Sequence, residues 1–211
     1  MTSSDRHESG WRDQRRTGIA AIAAAIAAAL ALWLGVRFLG PVPAGMESAG
    51  ARMLLALKCC CVATLFCLVT GVEAVAHERL QSAAFDPLAG HETRRLRVNL
   101  RYLQNTLEQW AVFAVGLFGL AAYAADGAAV RAVVATTIVW ILARFAFWIG
   151  YHRSAALRGL GAPGMAQSLL VLLYVAARFG AELAGTAGAA IMVGAFLIFE
   201  AILFRATHGR E

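Results

Sequence analysis

Long apolar stretches separated by short polar segments dominate the pattern along this chain. Six stretches are long enough, or nearly long enough, to cross the hydrocarbon core of a membrane as helices: 18–39, 53–76, 103–125, 132–150, 164–184 and 187–204. A spanning helix needs roughly 20 apolar residues, and the last stretch is the shortest. The alternation that is typical of a membrane barrel strand is absent. The pattern therefore predicts an all-α integral membrane protein with five or six spans.

The composition agrees with a membrane protein and excludes a soluble domain. Of the 211 residues, 60% are hydrophobic and only 15% are charged, and a soluble domain of this size has more polar surface. The first apolar stretch exceeds the core of a typical signal peptide, and the leader 1–17 contains acidic residues as well as arginines. We therefore expect a retained helix rather than a cleaved signal.

The placement of the arginines predicts the orientation of the chain. If the spans alternate, the arginines of the leader, the 77–101 loop, the 151–163 loop and the C-terminal tail share one side, whereas the other side receives only Arg52 and Arg131. Loops rich in arginine stay in the cytoplasm. We expect both termini in the cytoplasm, in a bacterial inner membrane. The arginines thus set the topology, and no nucleic-acid partner is expected.

One stripe of polar residues lies where the third span begins. Arg101, Asn105 and Glu108 follow the spacing i, i+4, i+7, which places them on one face of a helix. Ionisable groups within a membrane are costly, and they usually face the interior of the bundle or a polar pocket. They either build a site for a charged ligand or pair with other helices to hold the bundle together.

A second polar set lies on the fourth span and beyond its end. Its members are Arg144, Trp148 and Tyr151, then Arg153, Ser154 and Arg158. Two arginine-bearing helices near one membrane face can form a pocket for an anion. Four cysteines, by contrast, crowd into one span at positions 59, 60, 61 and 67. Adjacent helical residues point in different directions and cannot surround a metal ion, so no metal site is predicted.

These motifs resemble those of a known family. The stretch Arg101-Tyr-Leu-Gln-Asn105-Thr-Leu-Glu108 is similar to the R-x-x-x-N-x-x-E signature of the membrane-associated proteins in eicosanoid and glutathione metabolism (MAPEG). The segments 79–87 and 144–158 resemble two other parts of that family, in the family's order. The resemblance implies a MAPEG-like four-helix core over 53–184. The leader 1–17, one extra helix at 18–39, and a C-terminal helix with its tail at 187–211 flank this core.

The resemblance also implies a ligand and an assembly. It implies a homotrimer that binds glutathione, as a cosubstrate, between its subunits. The other partners that it implies are membrane lipid and a lipophilic small molecule. Arg158 would be catalytic, because it would stabilise the glutathione thiolate. The implied glutathione-binding residues are Arg79 from the neighbouring subunit and Arg101, Asn105, Glu108, Arg144, Tyr151, Arg153 and Ser154.

The sequence departs from the family at two positions and leaves three functions open. Gln109 and Phe147 stand where tyrosines are expected, which alters contacts to glutathione or changes the acceptor. The first function is a glutathione transferase or peroxidase acting on a lipophilic electrophile. The second is a non-catalytic member of the same fold that binds lipid or glutathione. The third is a small channel or structural membrane protein. Arg158 discriminates, because a lipid-binding protein needs no cation at a thiol.

Overall fold

The computed structural model describes the backbone of residues 3–208 and the side chains of 13–127 and 129–207. Arg6, Arg12 and Arg210, which the orientation argument uses, lie outside the described side chains. The described chain is helical and contains no strand: α1 (Ser3–Leu39), α2 (Ala49–Ala63), α3 (Thr70–Leu80), α4 (Arg94–Ala122), α5 (Gly127–Arg153) and α6 (Ala162–His208). A π-helical segment, Thr64–Val69, joins α2 to α3, and 3-10 segments occupy Ala83–Phe85 and Ala156–Gly161.

Within the described residues, four helical segments are long and apolar enough to cross a membrane. They are Asp13–Leu39, Ala49–Leu80, Ala129–Arg153 and Ala156–Thr207. The chain is therefore a multi-pass membrane protein, and its fold is the all-α bundle that the sequence predicts. Helix α4 covers the predicted third span but is not among the four, because its first half contains the Arg101–Glu108 stripe and the arginines before it.

Helix α6 contains a sharp reversal. Ala184 and Gly185 leave helical geometry, and Gly185 has a φ of 59°, a conformation that glycine adopts without steric cost. A Cβ on Gly188 would overlap the carbonyl group of Gly180, although eight residues of straight helix would separate them by about 12 Å. The chain therefore folds back at Ala184–Gly185 into two segments, 162–183 and 186–208. The sequence predicts this link at Gly185-Thr186.

Side-chain caps fix where three of the helices begin. The hydroxyl of Ser48 accepts a hydrogen bond from the Ala51 N–H at 3.1 Å, and that of Thr93 accepts one from the Leu96 N–H at 3.0 Å. Asp126 caps α5 through a 2.7 Å bond from the Ala129 N–H. Such caps satisfy backbone donors that a helix start leaves unpaired. Pro163, the last residue of the 151–163 loop, lies in the first turn of α6, where proline is tolerated.

The core of the bundle lies between α2, α4 and α5. Phe113 of α4 stacks on Trp140 of α5 with 4.6 Å between ring centroids, and both side chains are buried. Helix α1 packs outside this core, against α5, where the Trp33 indole donates to the Thr136 hydroxyl at 3.1 Å. Apolar side chains such as Phe199, which is 68% exposed, cover the second segment of α6. Such a surface suits contact with lipid.

The close approach in α6 leads to a stability prediction. Gly188→Leu should lower the thermal unfolding temperature of the detergent-solubilised protein, because the new side chain forces the two segments apart. Such overpacking costs roughly 1–3 kcal/mol. Gly194→Leu is the matched control, since no atom lies within 4 Å of its Cβ position. Differential scanning fluorimetry that shows equal shifts for both variants would contradict the hairpin geometry.

Candidate functional site

A polar cavity of about 530 Å³ lies where α4, α5 and the 3-10 segment Ala156–Gly161 meet. We call it the polar cavity. Its lining comprises Arg101, Gln104, Asn105, Glu108, Gln109, Arg144, Phe147, Tyr151, Arg158, Gly159, Gly161 and Ala162. Six of the nine site residues named from the sequence thus surround one space, although they come from three separate elements.

The α4 wall of the polar cavity is a chain of hydrogen-bonded side chains. The Arg101 guanidinium donates to Gln104 Oε1 at 3.3 Å, and Gln104 Nε2 donates to Glu108 Oε1 at 3.2 Å. All three side chains are exposed in the single chain. The predicted stripe therefore exists as one surface. Gln104, which sequence reasoning missed, connects Arg101 to Glu108. It lies three residues after Arg101 and four before Glu108, and this spacing was the available signal.

Arg144 of α5 forms the floor of the polar cavity and is only 1% exposed. Its Nη1 donates to Asn105 Oδ1 at 2.9 Å, and its Nη2 donates to the carbonyl oxygen of Gly161 at 2.9 Å. Its guanidinium carbon lies 5.0 Å from the Phe147 ring centroid. A Cβ on Gly161 would come within 2.8 Å of Arg144 Nη2, so only glycine permits this approach. Arg144 thereby connects α4, α5 and the 3-10 segment.

Arg144 also fixes which atoms Asn105 presents to a ligand. A guanidinium can only donate hydrogen bonds, so the Asn105 atom that faces it must be the oxygen. Gln109 Nε2 donates to the same oxygen at 3.2 Å. With two donors on its oxygen, Asn105 offers its amide N–H groups, rather than its oxygen, to a molecule in the polar cavity.

A buried cluster beneath the polar cavity fixes α4 against its neighbours. The Tyr102 hydroxyl donates to the carbonyl oxygen of Cys67, in the π-helical segment, at 3.0 Å. The Tyr102 ring stacks on Trp148 of α5 with 4.6 Å between centroids, and the Trp148 indole donates to Asn99 Oδ1 at 2.9 Å. Sequence reasoning missed this role for Asn99 and Tyr102. Their spacing on α4, with Thr106, is i, i+3, i+7, which was a usable signal.

Three site residues named from the sequence do not line the polar cavity in the single chain. Arg79 lies in the last turn of α3, and its Nε is buried without a hydrogen-bond partner. Arg153 ends α5 with an exposed side chain. The Ser154 hydroxyl accepts a hydrogen bond from the Leu157 N–H at 3.2 Å, which holds the turn between α5 and the 3-10 segment. Ligand contacts for these three remain predictions.

The charges around the polar cavity favour an anionic ligand. Arg101, Arg144 and Arg158 provide three guanidinium groups, against the single carboxylate of Glu108. Guanidinium groups bind carboxylates through paired, charge-assisted hydrogen bonds. Among the described residues, no group of three or more His, Cys, Asp or Glu side chains could hold a metal ion. The arrangement can bind a molecule with several carboxylates and an amine, and Arg158 can stabilise a developing negative charge.

A comparison with known families identifies one match. The model of the MAPEG family matches residues 54–181, a region that includes every residue lining the polar cavity. Helix α1 and the second segment of α6 lie outside the match. Neither the curated proteins nor the solved structures gave a significant match.

Proposed function

The chain belongs to the MAPEG family, and from this premise we propose that it is a membrane-bound, glutathione-dependent transferase or peroxidase that acts on a lipophilic electrophile. The family is associated in general with glutathione and membrane lipids. The observation that carries the proposal for this chain is the polar cavity, which gathers three arginines and one glutamate from separate elements.

The charges of glutathione complement those of the cavity. Glutathione has two carboxylates, one ammonium group and one thiol. Arg101 and Arg144 provide donors for the carboxylates, Glu108 provides an acceptor for the ammonium group, and the Asn105 amide adds N–H donors. Tyr151 lines the same space. Arg79, Arg153 and Ser154 would add contacts from this or a neighbouring subunit.

Arg158 would supply the catalytic interaction. Arg158 lies on the 3-10 segment and lines the polar cavity, and its side chain is exposed. An ordinary thiol has a pKa of about 8.5, and the thiolate is the nucleophile. A guanidinium beside the thiol favours the thiolate and lowers the pKa of that thiol. In the transferase reaction the thiolate forms a carbon–sulfur bond with the electrophile. In a substitution, the displaced group leaves with the electron pair. In an addition, the carbon or oxygen of the electrophile that receives the electron pair takes up a proton.

The exposed charges on α4 support an oligomer. Arg101, Gln104 and Glu108 are exposed in the single chain, on a helix that packs among spanning helices. Lipid chains solvate charges poorly, so contact with another protein surface would favour this face. We propose a homotrimer in which Arg79 reaches the polar cavity of the neighbouring subunit. We also retain the sequence-based expectation of a bacterial inner membrane with both termini in the cytoplasm.

One observation favours a second candidate function. Gln109 and Phe147 both line the polar cavity, at the two positions where tyrosines are expected. Two lost hydroxyl groups are consistent with a protein that binds glutathione or lipid without thiol chemistry. The state of the bound thiol separates the two candidates.

The first test concerns binding. Arg101→Ala should weaken glutathione binding about 10- to 150-fold, since a hydrogen bond to a charged group contributes roughly 1.5–3 kcal/mol. Isothermal titration calorimetry of the detergent-solubilised protein measures the affinity. Arg97→Ala is the matched control, because Arg97 is exposed on the same helix and does not line the cavity. Equal affinities for wild type and Arg101→Ala would exclude this site.

The second test concerns the thiol. The glutathione complex of the wild type should show the ultraviolet absorption of the thiolate well below the roughly pH 8.5 of a free thiol. Arg158→Leu should bind glutathione but require a higher pH for the same absorption, and Arg97→Leu should behave as wild type. If the Arg158→Leu titration overlays that of the wild type, Arg158 is only a topology charge. If no variant shows thiolate at neutral pH, the non-catalytic function is favoured.

The third test concerns the assembly. Arg79→Ala subunits and Arg101→Ala subunits should each lose glutathione binding alone, whereas mixed trimers should regain some intact sites. Native mass spectrometry verifies the mixed species before binding is measured. A complete lack of recovery would place both arginines in the site of one subunit, and monomers across several detergents would contradict the trimer.

A further inference from the structure

A second cavity, of about 280 Å³, lies between α1 and α5. No charged or hydrogen-bonding side chain among the described residues lines it, and we call it the apolar cavity. The wall from α1 consists of Ala25, Ala28, Ala29 and Leu32, which share one helix face at i, i+3, i+4 and i+7. Helix α1 is rich in alanine, and the small side chains of these alanines leave this space open.

The apolar cavity is elongated along the two helices. Its lining covers seven residue steps on α1 and seven on α5, from Val139 to Ala146, which corresponds to about 10 Å. The hydrogen bond between Trp33 and Thr136 lies just beyond its far end. Ala28 and Leu32 are exposed, so the cavity opens sideways between the helices. Both helices are long and apolar enough to span a membrane, and the opening therefore faces lipid chains.

The two cavities share a wall. Along the 3-10 segment and the start of α6, Gly159 and Gly161 line the polar cavity, whereas Leu160 and Pro163 line the apolar one. On α5, Arg144 faces the polar cavity and its neighbour Ala143 faces the apolar one. Single residues thus separate the two spaces, and both reach the segment that contains Arg158.

We propose that the apolar cavity binds the unbranched alkyl chain of the lipophilic acceptor, an inference that rests on the proposed function. An apolar void of this kind does not hold water, and a hydrocarbon chain regains the dispersion contacts that an empty space lacks. The volume is below the roughly 300–1,000 Å³ of cavities that hold drug-sized molecules, so it suits one chain rather than a fused ring system.

The shared wall favours the acceptor as occupant over a structural lipid. A chain in this cavity lies directly behind residues that line the polar cavity, and its head would pass around the 3-10 segment to reach Arg158. Because bilayer and cavity are similarly apolar, transfer of the chain contributes little by itself. Selection then depends on shape, and the acceptors that fit best have a particular chain length.

S-alkyl glutathiones of increasing chain length are suitable probes, because each joins the glutathione head to one alkyl tail and needs no chemistry. Competition calorimetry should show that affinity rises with chain length and then levels off or falls once the tail fills the apolar cavity. Ala29→Phe should move this limit to shorter chains and weaken the best wild-type probe roughly tenfold, because these probes bind from water and one or two methylenes would lose their burial. Ala29→Leu should have a smaller effect in the same direction.

The matched control is Ala27→Phe, because Ala27 is exposed on α1 and does not line the apolar cavity. It should leave the length limit unchanged, and glutathione itself should bind all variants as it binds wild type. If glutathione binds but Ala29→Phe and Ala27→Phe give the same length dependence, the tail lies elsewhere and the inference is wrong. The same conclusion follows if a co-purified lipid occupies the cavity and S-alkyl probes do not displace it. If glutathione does not bind wild type, the proposed function fails instead.

Discussion

The buried guanidinium of Arg144 is the interaction on which the rest of this structure depends. Removing such a cation from water costs several kcal/mol unless hydrogen bonds compensate. Here Nε is buried without a hydrogen-bond partner. The Asn105 oxygen and the Gly161 carbonyl oxygen accept hydrogen bonds from the two Nη atoms, and the Phe147 ring adds a cation–π contact. Because these partners belong to α4, the 3-10 segment and α5, the requirement to solvate one charge sets the positions of all three walls of the polar cavity. Gly161 is part of this constraint, since any side chain there would displace the guanidinium.

The membrane adds a second constraint to the first. Water is absent at hydrocarbon depth, so each polar group must find a partner within the protein. The Asn99, Tyr102 and Trp148 cluster meets this requirement inside one chain, because each of its hydrogen bonds joins two described elements. The Arg101, Gln104 and Glu108 surface meets it only in part, since these side chains bond to one another but stay exposed. The difference separates a surface that holds the chain together from one whose polar groups stay accessible.

The features that the sequence predicts well are local ones. Hydropathy identifies the apolar segments, and helical spacing places Arg101, Asn105 and Glu108 on one face, because both depend on residues within a few turns. Contacts between distant elements are different. Nothing near Arg144 in the sequence indicates that it bonds to Gly161, although position along the chain already grouped Arg144 with Arg158. Pro163 is a local signal of the same kind, since a proline that closes a loop is compatible with the first turn of the next helix.

The two cavities differ in origin as well as in polarity. The residues of the polar cavity all lie within the region that matches the family, whereas the apolar cavity needs the alanine face of α1, which lies outside it. None of the described α1 side chains lines the polar cavity. Substitutions between Ala25 and Leu32 can therefore change the shape of the apolar cavity without changing the charges of the polar cavity. On the proposed function, the thiol chemistry and the choice of acceptor would be determined by separate helices, and the acceptor range could change while the glutathione site stayed the same.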